Sequence, residues 1–252
     1  MKVVAIVQAR MSSTRLPGKV LRDIVGRPML WHIINRLKYT RLIDKMVIAT
    51  SDDEGDKPIM KFAWENGIDC YAGSELDLID RLYQAARRFE ADIAVKVTGD
   101  SPLIDPVVVD KVVKYYLDNK DKFDCVGNFK PSTYPQGLGA AVFSFEVIEK
   151  AWQEVKDPFW REWATMNFFD HPEKYRLGNV ENDQDLSHMR WTVDYQEDLD
   201  FITEIYKSLY EEGGVFLMED VLELLARNPG IASTPRLRNE AYYQALSRYK
   251  ER

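Results

Sequence analysis

The sequence is poor in the residues that most often carry covalent or transition-metal chemistry. Its 252 residues include two cysteines and three histidines. Cys70 and Cys125 are far apart, each beside apolar residues, and read as buried thiols in a reducing compartment rather than as metal ligands. His32, His171 and His188 have no Cys, His or Asp partner at ligand spacing, which puts core or surface roles ahead of catalysis. No apolar stretch reaches the about 20 residues of a membrane span, and KVVAIV is too short for the core of a signal peptide. The expectation is a soluble, cytoplasmic protein. Excess positive charge is missing too. The formal net charge is −7, so no global field draws in nucleic acid or an anionic membrane. Neither G-x-x-x-x-G-K-[ST] nor G-x-G-x-x-G follows the first strand, which excludes a P-loop and a dinucleotide fingerprint.

What the chain does have is material for one large α/β domain. Hydrophobic residues make up 45% and charged residues 30%, an ordinary globular balance. KVVAIVQA is a continuous run rich in β-branched residues, as in a strand buried on both faces. PMLWHIINRLKYT follows at helical spacing, with a proline suited to a first turn. The alternation continues through KMVIATS, GDKPIMKFAWENG, IDCYAG, LDLIDRLYQAARRFE, DIAVKVTGD and PVVVDKVVKYYLDN. This rhythm predicts an α/β fold of Rossmann-like type, with a mostly parallel central sheet and helices on both faces. Beyond Lys122, shorter strands are expected at FDCVGNF, GAAVFSF and YRLGNV, and a last one at HMRWTVD. FEVIEKAWQEV, DPFWREWATMNFFDH, YQEDLDFITEIYKSLYEEG and FLMEDVLELLARNPG read as helices, the last stopped by Pro229 and Gly230. NEAYYQALSRYKER reads as a further helix. Residues 1–210 are expected to form the main domain and 211–252 a C-terminal helical extension of it.

Donor capacity is concentrated in VQARMSSTRLPGK, directly after the first strand. In open α/β sheets, ligands bind outside the carboxyl ends of the strands. Gln8 and Ala9 lead into this loop. Its amides and the hydroxyls of Ser12, Ser13 and Thr14 can donate to phosphate oxygens, while Arg10, Arg15 and Lys19 neutralise charge. Pro17-Gly18 bends the chain so that Lys19 folds back toward the loop. The competing account is a solvated surface loop. Two carboxylates end distant strands at the same sheet edge: Asp100 in VKVTGDSPLIDP and Asp194 in MRWTVDYQEDL. Converging near a cationic loop, they suit a magnesium ion bridged to a substrate phosphate. Singly, each reads as readily as a cap: Asp100 before Ser-Pro, Asp194 before the helix near Gln196.

The string VQARMSSTRLPGKVLRDIVGRPML resembles the N-terminal signature of the cytidylyltransferases that activate sugars as CMP derivatives. That family includes CMP-3-deoxy-manno-octulosonate synthetase and acylneuraminate cytidylyltransferase. The likeness is strongest to the spore-coat polysaccharide branch; it runs to the region of Asp200 and fades in the C-terminal helices. It implies the nucleotide-diphospho-sugar transferase type of fold. It also implies that CMP passes from CTP to a sugar acid or related acceptor with release of pyrophosphate, in cell-surface polysaccharide biosynthesis. The implied cofactor is Mg2+, held by Asp100 and Asp194, with Arg10 and Lys19 as catalytic cations and Arg15 in support. Asp198 is the weaker metal candidate and more readily a first-turn helix charge.

By the same resemblance, Asp52, Gly73, Ser74 and Arg81 hold base and ribose. Ser74 as a helix cap and Arg81 as a surface residue paired with Asp77 or Asp80 are the structural alternatives. Gln136, Gly137, Arg161, Glu162 and Arg190 match acceptor-side motifs, a salt-bridge role competing for both arginines. Four positions depart from the family pattern. Relatives often carry an acidic residue near Ala141, histidine at Trp163, proline at Met166 and cysteine at Ser101. The nucleotide half is thus intact and the acceptor half altered. Trp160, Trp163, Phe168 and Phe169 read as an aromatic face that is either buried or a dimer contact, and the resemblance implies a homodimer. The expected partners are CTP and a small-molecule acceptor, with no nucleic acid and no membrane. Rival readings are a same-fold transferase with another nucleotide or a phosphorylated non-sugar acceptor, and a catalytically silent nucleotide-binding protein.

Overall fold

The computed structural model describes residues 1–231 and 240–251. Its first half alternates as the sequence predicts. β1 (Val3–Gln8) leads through a small hairpin, β2 (Asp23–Ile24) and β3 (Arg27–Pro28), into α1 (Met29–Leu37). Then come β4 (Lys45–Ser51), α2 (Lys57–Glu65), β5 (Asp69–Gly73), α3 (Leu78–Arg88), β6 (Ile93–Thr98) and α4 (Pro106–Asp118). The second half holds β7 (Cys125–Gly127), β8 (Ala141–Ser144), α5 (Phe145–Glu154), α6 (Pro158–Glu162), α7 (Ala164–Phe169) and β9 (Leu177–Asn179). It ends in α8 (Gln196–Leu209), α9 (Met218–Arg227) and α10 (Glu240–Lys250).

Among the described residues the main sheet has seven strands in the order β5-β4-β1-β6-β8-β7-β9. β8 runs antiparallel to β6 and β7, and every other pairing is parallel. β1 lies at the centre, and Val3 to Val7 are buried because helices cover both faces. Alternate residues feed two cores. Ala5, Val7, Val95 and Val97 face α1, α4 and α8. Val4, Ile6, Ala94 and Phe143 face α3, α5 and α7. Cys70 and Cys125 are free thiols, as expected, and burial pushes both upward in pKa, Cys70 to about 11.

Three expectations need correction or completion. HMRWTVD is not a strand. Arg190 makes one isolated bridge with Gln136, and the segment crosses the end of the sheet instead of joining it. Its alternation is real, because Trp191 and Val193 are buried, but the backbone finds no continuous ladder. DPFWREWATMNFFDH forms two short helices rather than one, broken at Trp163, whose φ of −95° and ψ of 49° leave the helical region. In the expected C-terminal extension, residues 232–239 and 252 lie outside the described residues. α10 returns to the main domain: Tyr249 stacks on Phe159 at 4.4 Å between ring centroids, and Trp163 packs on Tyr242 at 5.2 Å. α10 thus covers part of the aromatic face of α6 and α7, leaving Trp160 and Trp163 half-buried. No described helix is long and apolar enough to cross a membrane.

Candidate active site

The loop after β1 is shaped by its own backbone. Ala9 N–H donates to Ala49 O at 3.1 Å, and the N–H groups of Ser13 and Gly18 both donate to Met11 O, at 2.8 and 3.1 Å. Closing that turn puts Gly18 at φ 67°, the left-handed region where a side chain is strained. A single 3-10 turn, Lys19–Leu21, then aims Lys19 back beneath the loop.

Asp56, a residue that the sequence reading passes over, fixes the loop from below. Its Oδ1 accepts Met11 N–H at 2.6 Å. Its Oδ2 accepts Thr50 Oγ1 and Ser51 N–H at 3.0 Å, and Ser51 Oγ at 2.6 Å. Burial alone pushes this carboxyl upward, but the donors from Ser51, Met11 and Thr50 outweigh it and hold Asp56 below the usual carboxylate range. The available signal was an acid just before Lys57-Pro58. That position suggests a cap and says nothing of a bond to Met11, 45 residues away.

Lys19 joins the two predicted acids. Its ammonium donates to Val193 O at 2.7 Å and Asp194 Oδ1 at 2.8 Å, and lies 3.4 Å from Asp100 Oδ2. Asp194 also receives Arg15 Nη2 at 2.6 Å and, on Oδ2, Arg190 Nη2 at 2.7 Å. Burial raises Asp100, but the Lys19 charge, a Thr98 hydrogen bond and the Lys96 charge together bring it below its ordinary value. It is therefore an ionised acid. The two carboxylates supply the hard oxygen donors that magnesium takes, and Lys19 already stands between them as a compact positive charge. This donor set fits a divalent cation. Among the described residues no group of three His, Cys, Asp or Glu could hold one alone, so water and phosphate oxygens would complete the shell.

The cap readings of the two acids fare differently from those of their neighbours. α4 is capped by Asp105, which accepts Val107 and Val108 N–H at 2.8 and 3.2 Å. Asp198, inside the first turn of α8, accepts the N–H groups of Asp194 and Tyr195 at 2.9 and 3.0 Å. Asp100 and Asp194 are thus left to their ion pairs.

These groups border a cavity of about 690 Å³. Gln8, Ala9, Arg10, Ser12, Ser13, Arg15 and Lys19 line it, with Asp100 and Asp194. Arg81 lines it as well and is 2% exposed, which overturns the reading of it as a surface residue. Burial, with Arg10 adding to the effect, lowers Arg81 to about 10. Asp52, Gly73 and Ser74 lie at the neighbouring strand ends, outside the lining. Asp52 N–H donates to Gly73 O at 2.8 Å, and Ser74 Oγ accepts Asp77 N–H at 3.0 Å in the turn before α3. Gln8 Nε2, Arg81 Nε and Arg190 Nε are buried without a protein partner, and all three residues line this cavity. Unmet donors of this kind suit a polar ligand.

Gln136, Gly137, Glu162 and Arg190 border the opposite side. Gln136 exchanges backbone bonds with Met189 O and Trp191 N–H at 2.9 and 2.7 Å. At Gly137, φ is 114° and a Cβ would come within 2.9 Å of the Trp191 carbonyl, so only glycine permits this approach. The two arginines expected on the acceptor side are placed differently. Arg161 is absent from the cavity lining: its Nε donates to Asp77 Oδ2 at 2.5 Å, and its Nη1 to Val155 O at 2.6 Å. Arg190 is engaged by Thr192 Oγ1 at 2.5 Å and by Asp194. The four departures, Ser101, Ala141, Trp163 and Met166, all face the cavity, joined by Tyr242 and Gln244 from α10.

Cations paired with two acids, above the carboxyl edge of a parallel sheet, are what transfer of a nucleotidyl group requires, and the class of protein is a nucleotidyltransferase. The comparisons narrow it. The chain belongs to the cytidylyltransferase family, whose model matches residues 4–222. It is 29% identical over 238 residues to the spore coat polysaccharide biosynthesis protein SpsF of Bacillus subtilis, covering 92% of this chain and 97% of that one. A cytidylyltransferase structure from Leptospira borgpetersenii superposes with a TM-score of 0.88 at 30% identity, over 95% of this chain and 100% of that one. CMP:2-keto-3-deoxy-manno-octonic acid synthetase complexed with CTP shares the fold, with a TM-score of 0.62 at 21% identity over 82% and 99% of the chains.

Proposed function

We propose that this enzyme transfers CMP from CTP to a sugar acid or related small acceptor, releasing pyrophosphate, in polysaccharide biosynthesis. The observation that carries the reading is Lys19 bridging Asp100 and Asp194 at the edge of a cavity bordered by the first-strand loop. The loop amides, Ser12 and Ser13 receive the triphosphate. Arg10 forms no ion pair or hydrogen bond among the described residues and is free to bind it. Lys19 and Arg15 leave Asp194 for phosphate oxygens as the substrate arrives. The acceptor oxygen attacks the α-phosphorus, the bond to the β-phosphate oxygen breaks, and Arg10 and Lys19 stabilise the charge that collects on pyrophosphate. Asp100 and Asp194 would hold Mg2+, which screens the converging negative charges when bound. The donors of Gln8 and Arg81 meet the nucleoside.

The polysaccharide role rests on the likeness to SpsF, and homodimerisation on the family resemblance; light scattering of the purified chain measures the latter. Isothermal titration with CTP, UTP, GTP and ATP, each with and without Mg2+, tests the nucleotide assignment. Tight, magnesium-dependent binding of CTP alone is the expected result. Equal binding of all four, or none, would overturn it.

A further inference from the structure

Lys96 occupies a position where β6 calls for an aliphatic residue. Its register partners are Ile6 on β1 and Ala141 on β8, and both are buried. Two residues earlier, Ala94 lies in the core beneath α3 and α7. Two residues later, Thr98 Oγ1 pairs with Ser101 Oγ at 2.8 Å. Among the described residues Lys96 makes no hydrogen bond and no ion pair. The charges acting on it are Asp100, which supports the ammonium, and Arg81, which opposes it; burial, with Arg81 adding to it, outweighs Asp100 and pulls it down to about 8. A half-buried, unpaired ammonium opposes folding unless something else selects it.

The side chain lines the cavity, next to the small Ala141. The other cations near the acceptor end are already engaged, Arg161 outside the cavity by Asp77 and Arg190 by Asp194 and Asp198. Apolar surface from Phe129, Trp163 and Met166 completes the wall, and in such surroundings a single ion pair is stronger than in water.

We infer that Lys96 seats the anionic group of the acceptor, a carboxylate or a phosphate on a small hydroxylated molecule. This rests on the nucleotidyltransferase reading above. It assigns acceptor choice to a residue that the motif comparison did not single out, in place of Arg161.

The test is calorimetry on the full chain saturated with Mg2+ and the non-cleavable cytidine 5′-(α,β-methylene)triphosphate. The probes are 3-deoxy-manno-octulosonate, glucose 1-phosphate and neutral glucose. At least one charged probe binds and glucose does not; the two charged arms separate carboxylate from phosphate. Lys96→Met weakens that binding by about tenfold or more, the loss of a charge-assisted bond. Lys96→Arg retains it within about threefold because the charge is kept. Both variants bind the nucleotide analogue within about twofold of wild type, and Lys96→Met unfolds at a higher temperature because an unpaired buried cation is gone. The inference falls if glucose binds as well as the charged probes, or if no charged probe binds the loaded protein. It also falls if Lys96→Met leaves the charged probe unaffected or weakens the nucleotide analogue equally. Failure of wild type to bind the analogue at all would overturn the nucleotide reading itself, and Lys96's role with it.

Discussion

The Lys19 ammonium lies 2.8 Å from Asp194 Oδ1, although 175 positions separate the two residues. This ion pair ties the first-strand loop to the segment that enters α8, and it holds the Lys19 cation beside the acids. Lys19→Met removes the cation and leaves Arg15 and Arg190 to neutralise Asp194. Turnover, followed as pyrophosphate release, is expected to fall about 10²–10³-fold, the usual loss of a preorganised cation at a developing charge. Activity within a few-fold of wild type would remove Lys19 from the mechanism.

The two acids differ in their surroundings, and their variants separate structure from chemistry. Asp194 faces Arg15, Lys19 and Arg190 at 2.6 to 2.8 Å, whereas Asp100 has one ion-pair contact at 3.4 Å. Asp194→Asn therefore destabilises by about 1–3 kcal/mol, discounted from a fully buried pair because solvent reaches the site. Asp100→Asn lowers stability less. Both lose magnesium-dependent turnover. Chemical denaturation alongside activity checks the contrast, and equal losses of stability would contradict it.

β1, β4 and β6 were readable because continuous β-branched runs are what a doubly covered parallel strand needs. Lys19 and Asp100 were readable because each sits on the loop after a strand, and Asp194 because it precedes the helix α8. What the sequence hid depends on contacts between distant positions. Nothing local tells that Asp56 bonds Met11, that α10 returns to cover Trp163, or that Arg161 turns toward Asp77 and away from the cavity. HMRWTVD imitated a strand because Trp191 and Val193 face the core, yet only Gln136 offers that segment a bridge. Lys96 was passed over because a strand reading registers the hydrophobic neighbours and not the one charge among them.

Asp56 carries a pH signature. Its folded pKa is held below the unfolded value by Ser51, Met11 and Thr50 despite burial. The stability this contributes is present above the unfolded carboxylate pKa, about 4, and is lost as pH falls through the lower folded value. Asp56→Asn removes that contribution at neutral pH and flattens the loss below about pH 4. It also weakens CTP binding, because an amide keeps only one acceptor oxygen and cannot serve both Met11 and the Ser51 and Thr50 donors. Denaturation midpoints at pH 7 and pH 3 measure the first effect and calorimetry the second. An Asp56→Asn protein with the wild-type acid profile would contradict the account.

Tyr242 is 2% exposed and places α10 against the cavity wall that holds Trp163 and Met166, its hydroxyl donating to Asp170. Tyr242→Ala removes that wall. The acceptor KM is expected to rise several-fold, roughly the effect of losing 1–2 kcal/mol of packing, with CTP affinity unchanged. Tyr242→Phe keeps the ring and loses the hydroxyl bond alone, so its acceptor KM stays near wild type. A CTP defect as large as the acceptor defect in Tyr242→Ala would show that α10 serves the fold and not the acceptor.

The most direct measurement follows two labels on CTP, one on the α-phosphorus and one on the γ, during turnover with magnesium and charged sugar acceptors. The account predicts that the α label appears in a CMP conjugate and the γ label in pyrophosphate, and that Asp100→Asn produces neither. Release of the γ label as inorganic phosphate, or consumption of another nucleotide with CTP untouched, would contradict it.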